Sequence, residues 1–169
     1  MKAFKYVLWI VLLFLFQTVV LHFIVPFGCR ADLVLPFVVV VAIKEDTFRV
    51  TTIVSIVCAV LAGTLCGKNF SFCVLFYTYV GTAAFMARRY FSYVPDFLHM
   101  YIWVLPASVL SEVISFLLLY SSTKWLHGAF INHMIPAAFF TQIGAAIVFL
   151  IASATLFRRK RGRGLLISD

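Results

Sequence analysis

The chain is 169 residues long, 64% hydrophobic and 12% charged, with a mean hydropathy of +1.07 and a formal net charge of +8. A soluble domain is about half apolar and about a quarter charged, and a small globule cannot hide such an excess inside, so a water-soluble fold is excluded. The charge does not describe a nucleic-acid binder either: Arg158, Arg159, Lys160, Arg161 and Arg163 sit in one tail, and the other basic residues punctuate apolar runs.

Six apolar segments follow in order. The first, about Phe4 to Val25, comes after Lys2 and Lys5. It is longer than a signal-peptide core and no small-x-small cleavage site follows, so it reads as a retained helix. Gln17, Thr18 and His22 give it a polar stripe, expected to hydrogen-bond to another helix rather than to a ligand. The second segment, about Asp32 to Ile43, is short. At ~1.5 Å per residue it covers about 18 Å of a hydrocarbon core about 30 Å thick. Pro36 falls in its first turns, where proline is tolerated. It is either a full crossing or a re-entrant segment.

The third segment, about Val50 to Cys66, carries the clearest pattern. Thr51, Ser55, Ala59 and Gly63 recur at every fourth position, with Cys58, Ala62 and Cys66 in a second row beside them. Residues four apart share a helix face, so one side is almost without side chains and a neighbouring backbone can come close. This face is expected to pack inside the bundle, in preference to forming a dimer face or a partner groove. The fourth segment runs from about Phe70 to Ala87. The stretch Arg88–His99, with Arg89, Tyr90, Tyr93 and Asp96, is the richest connection. Interfacial anchoring is expected of it ahead of partner docking.

The fifth segment, about Leu98 to Ser121, holds Glu112 near its middle. A carboxylate there is costly and faces a bundle interior or a cavity. Ser108, Ser111 and Ser115 stand within reach of it. Proton coupling, substrate binding, a polar clasp on a partner helix and a neutral, internally bonded acid all remain open for this residue. The sixth segment, about Ile135 to Phe157, repeats the small-residue device with Ala137, Thr141 and Ala145, and its Gln142 reads like Gln17. Trp9, Tyr90, Tyr93, Tyr101, Trp103, Tyr120 and Trp125 fall near segment ends, where amphipathic rings prefer the interface.

Charge parity decides the second segment. With six crossings and an inside N-terminus, Lys2, Lys5, Lys44, Arg49, Arg88, Arg89 and the five tail residues lie inside, while Arg30, Lys68 and Lys124 lie outside. Dropping one crossing would place the tail or the N-terminal lysines outside, against the positive-inside rule. The expected fold is an all-α integral membrane protein, a six-transmembrane-helix bundle with N-terminus and C-terminus cytoplasmic. Residues 1–157 form one membrane domain and residues 158–169 a basic cytoplasmic tail. Arg88, Arg89, Arg158, Arg159, Lys160, Arg161 and Arg163 are expected to meet anionic membrane lipids or a cytoplasmic partner, with lipid attraction of about 1 kcal/mol per basic residue.

No catalytic constellation emerges: H-E-x-x-H, G-x-S-x-G and phosphate-binding loops are all missing from the sequence. His22, His99, His127 and His133 lack ligand spacing, and the four cysteines contain no C-x-x-C pair. Neither a metal nor another cofactor is expected, nor an enzyme. Cys29, Cys66 and Cys73 fall near the outer side, where a disulfide is possible, although small apolar packing residues are the favoured reading.

The order of features resembles the MreD family of bacterial rod-shape-determining membrane proteins. The residues that carry the likeness are Phe14-Leu15-Phe16-Gln17-Thr18, the turn Ala31-Asp32-Leu33-Val34-Leu35-Pro36, the glycine-rich Ala62-Gly63-Thr64-Leu65-Cys66-Gly67, and Tyr79-Val80-Gly81. The basic tail also suits the family. The likeness is clearest over residues 8–90. Ala31 stands where the family has a proline, and the acidic residue often found near the end of the third helix is missing beside Cys66. The resemblance implies a non-catalytic scaffold in the bacterial inner membrane that binds the coiled-coil protein MreC. Its surroundings would be the elongation machinery of MreB, a SEDS-family glycosyltransferase and a class B penicillin-binding protein. Ser55, Ala59, Gly63, Gln17, Asp32 and Glu112 are the candidate packing or partner-interface residues. From another class, the substrate-binding membrane component of an energy-coupling-factor vitamin transporter also has six helices, and Glu112 would line its ligand cavity.

Overall fold

The computed structural model describes residues 2–20, 31–65, 69–120 and 127–157. The regular elements among them are all helical: α1 (Lys2–Leu15), continued by a π-helical turn over Phe16–Val20, α2 (Val34–Lys44), α3 (Phe48–Leu65), α4 (Phe70–Tyr90), α5 (Asp96–Tyr120) and α6 (His127–Thr155). Four of them, α3 to α6, contain stretches long and apolar enough to cross a membrane, while α1 and α2 are shorter apolar helices. Large apolar side chains such as Leu75, Phe139 and Leu150 project outward, as lipid rather than water allows. The chain is an all-α membrane protein. The expected edges agree to within a few residues, except that α6 begins at His127, a full two turns before Ile135.

The shortest helix is the centre. All ten residues from Val34 to Ile43 are buried, and α2 contacts α3, α4, α5 and α6. Lipid gives no hydrophobic push between helices, so close packing and dispersion must hold it there. The valine run suits that task, since a β-branched side chain has little rotamer freedom to lose. With eleven residues, α2 spans about 16 Å, close to half of a ~30 Å core.

Contacts collect the helix ends. Tyr6 donates to Glu45, Arg89 donates to the Asp46 carbonyl at 3.0 Å, and the Phe48 and Phe85 rings meet at 5.5 Å. Lys44 and Arg88 both pair with Asp96, Trp9 Nε1 donates to Thr155 Oγ1 at 3.0 Å, and Tyr6 touches Phe157. The starts of α1, α3 and α5 therefore lie with the ends of α2, α4 and α6, at what is called here the charged end.

The small-residue face of α3 is turned inward. Thr51, Ser55, Cys58, Ala59 and Ala62 are buried, and α3 packs most closely on α4. A Cβ added at Gly81 would stand 2.2 Å from Ser55 Oγ and 3.0 Å from Val38 Cγ1, and one at Gly63 would stand 2.9 Å from the Phe70 Cα. These approaches need glycine. The α6 row behaves in the same way: Ala137, Thr141 and Ala145 are buried, and Gly144 admits Leu33.

Candidate functional site

Several polar residues of the interior meet at one level. Gln17 sits in the π-helical turn, twelve residues beyond Lys5, about 18 Å from the charged end at ~1.5 Å per residue. Tyr77 is eleven residues back from Arg88, about 17 Å. Both reach the same three residues, 31–33, which precede α2; of these, the Leu33 carbonyl accepts from the Phe37 N–H at 3.3 Å. Their depth is close to the middle of a ~30 Å hydrocarbon core.

Irregular backbone at that depth is tolerated only when protein satisfies it. Gln17 does much of this, donating from Nε2 to the Ala31 carbonyl at 2.8 Å and accepting from the Leu33 N–H through Oε1 at 3.0 Å. Asp32 does the rest. Its Oδ1 accepts from the N–H groups of Val34 at 3.0 Å and Leu35 at 3.3 Å, and thus serves the free donors at the start of α2. Its Oδ2 accepts from the Tyr77 hydroxyl, and its backbone N–H donates to Thr141 Oγ1 at 3.1 Å. The positive end of the α2 dipole faces the same carboxylate. Residues from α1, α2, α4 and α6 are thereby tied together in one buried node.

Asp32, expected at the start of the second segment and among the packing or partner-interface candidates, is 7% exposed and lies inside the bundle. A turn that opens at membrane depth needs a built-in acceptor, and the carboxylate supplies it. Gln17 hydrogen-bonds internally, to the backbone of residues 31 and 33 rather than to another helix. Gln142 differs from it, since its amide atoms are buried without a hydrogen-bond partner among the described residues. Ser55, Ala59 and Gly63 belong to the α3–α4 contact beside the node. Glu112 stands apart, half-buried and sixteen residues beyond Asp96, about 24 Å from the charged end. Of the serines near it, Ser108 donates to the Leu105 carbonyl at 2.9 Å.

A second cluster forms the charged end. Asp96 accepts from Lys44 Nζ at 2.6 Å and pairs with Arg88 at 2.8 Å. Lys44 also lies over the Phe149 ring at 5.1 Å, and Arg89 over Phe85 at 4.8 Å. Arg88 and Arg89, expected to meet lipid or a partner, are thus held by internal contacts as well. His99, where the Arg88–His99 stretch overlaps the start of the fifth segment, is inside α5. It is 3% exposed, and neither ring nitrogen has a hydrogen-bond partner among the described residues. Helix begins at Asp96 because the Pro95 carbonyl accepts the His99 N–H at 2.9 Å. The tail arginines and Lys160, Cys29, Cys66 and His22 lie outside the described residues. Cys58 and Cys73 are buried as small core side chains.

Tyr77 and Glu45 are the important residues that sequence reasoning passed over. Tyr77 had a signal: a phenol in the middle of an apolar segment, far from any interface, requires a buried acceptor. No group of three or more metal-ligating side chains comes together among the described residues. No protein-family profile matches the chain, and no curated protein or solved structure is significantly similar to it.

Proposed function

We propose that the chain is a non-catalytic membrane scaffold of the MreD type, which binds MreC within the cell-wall elongation machinery and helps control cell shape and peptidoglycan synthesis. It would lie in the bacterial inner membrane with six crossings and both termini cytoplasmic. The charged end carries Lys5, Lys44, Arg88 and Arg89, which is the asymmetry expected of a cytoplasmic face. The observation that carries the scaffold reading is the use made of the deep polar groups. Gln17 and Asp32, two of the residues behind the family resemblance, bond to backbone and to neighbouring helices and so fix the bundle as a rigid platform. The six helices alternate in direction, the buried α2 among them, and α2 reaches mid-depth with its irregular start held by the node.

The test is a pull-down from native membranes, with a C-terminal tag, brief crosslinking and mild detergent. Recovery of an MreC-like coiled-coil protein together with wall-synthesis enzymes is the expected result. Recovery of ATPase subunits with a larger membrane partner would overturn it in favour of a vitamin-transporter component.

A further inference from the structure

Between α1 and α6 runs an apolar groove of about 830 Å³. Its walls are Leu8, Leu12 and Phe16 from α1 and its π turn, facing Ile143, Ile147 and Ile151 from α6. Each of these side chains is roughly half exposed, so the groove opens sideways toward lipid. Among the described residues, Trp9 to Thr155 and Tyr6 to Phe157 join the two helices at the charged end. We propose that this groove binds an anionic phospholipid of the leaflet at the charged end, with acyl chains between α1 and α6 and the phosphate on Lys5.

Three observations select this occupant. The first is length. From Lys5 to Phe16, and equally from Thr155 to Gly144, eleven residues cover about 17 Å. Ala31, Leu33 and Phe140 line the far end, at the level of the polar node. One leaflet contributes about 15 Å of hydrocarbon, half of a core about 30 Å thick. The groove therefore fits acyl chains of a single leaflet, whereas a spanning helix of a partner would be seated along little more than half its length. Size comes second: pockets for drug-sized ligands run to about 1,000 Å³, and this one is near that upper end. The third is charge. Lys5 is the one ionisable residue in the lining, it is exposed at the mouth, and it makes no ion pair among the described residues. A cation above an apolar slot complements a lipid with a negative headgroup.

Trp9 lines the groove and reports on it. The full chain, carrying W103F and W125F so that Trp9 is the single tryptophan, is reconstituted in phosphatidylcholine vesicles. Phosphatidylglycerol with brominated acyl chains is then titrated in, and brominated phosphatidylcholine serves as the comparison. Half-maximal quenching is expected at about fivefold lower mole fraction for phosphatidylglycerol, the ratio that one Lys–headgroup attraction supplies. Lys5→Gln, at an exposed position that leaves the fold intact, should abolish the preference. Ile147→Phe, which fills the slot, should reduce maximal quenching by both lipids. Quenching by the two lipids that is equal, or absent, overturns the proposal. So does a photocrosslinker at Ile147 that captures a peptide instead of a lipid in native membranes. The lipid site does not depend on the scaffold reading: an MreC-like partner recovered equally by wild type and Lys5→Gln separates the two.

Discussion

Asp32 and Asp96 are the same side chain in two environments, and the bundle treats them differently. Asp32, at mid-membrane depth, is met by fixed donors: two N–H groups of α2 and the Tyr77 phenol. Asp96, at the charged end, is met by the long cations Lys44 and Arg88, and its side chain is 27% exposed. Headgroups and water can replace a partner at the edge of the bundle, where the effective dielectric is high. In the middle nothing replaces one, and an orphaned polar group keeps its full desolvation penalty. The deep site is therefore built from short, rigid groups, while the shallow one tolerates flexible ones.

Asp32→Ala should show the largest effect, a loss of about 3 kcal/mol, because it strands two helix N–H groups and a buried phenol. Thermal unfolding in detergent would register it as a large drop in Tm, and an unchanged Tm would mean that the node is not structural. Gly81→Ala comes next, at about 2 kcal/mol of overpacking, since the new Cβ would stand 2.2 Å from Ser55 Oγ. Combining it with Ser55→Gly should recover more than half of the loss, and strict additivity of the two would show that they do not compete for space. Tyr77→Phe should lower stability by about 1 kcal/mol, as the carboxylate keeps its other donors. Asp96→Asn should have the smallest effect, below about 1 kcal/mol, and 1 M salt should erase it. If Asp96→Asn equals Asp32→Ala in size, depth does not govern these sites and the contrast fails.

Much of the architecture was readable from local pattern. The edges of the long helices follow from hydropathy, because a ~30 Å apolar slab sets a minimum run of apolar residues. The every-fourth-residue row through Ser55 and Ala59 gave the buried face of α3, since small side chains have a use in lipid only where backbones meet. Gln17 was readable as an internal hydrogen bonder, whereas the partners of Asp32 were not. Gln17 stands inside an apolar run, so its burial is implied. Asp32 adjoins Arg30 and a proline-bearing helix start, the usual marks of an exposed turn. Its true partner, Tyr77, is 45 positions away, and nothing local connects them. The start of α5 falls two residues before the expected Leu98, because Arg88, Arg89 and Asp96 look like a loop although helix begins at Asp96.

Taken by itself, the sequence determined that this is a helical membrane protein, that the third to sixth segments are long enough to cross, and which faces of α3 and α6 admit a neighbour. Those features depend on composition and on periods of three to four residues, and both are local. Tertiary structure alone decided that the short α2 is the core, that a carboxylate belongs at mid-membrane depth, and that α1 and α6 leave a groove open to lipid. Each of these depends on which distant groups arrive at the same depth, and hydrogen bonds in hydrocarbon are decided by that meeting rather than by neighbours along the chain.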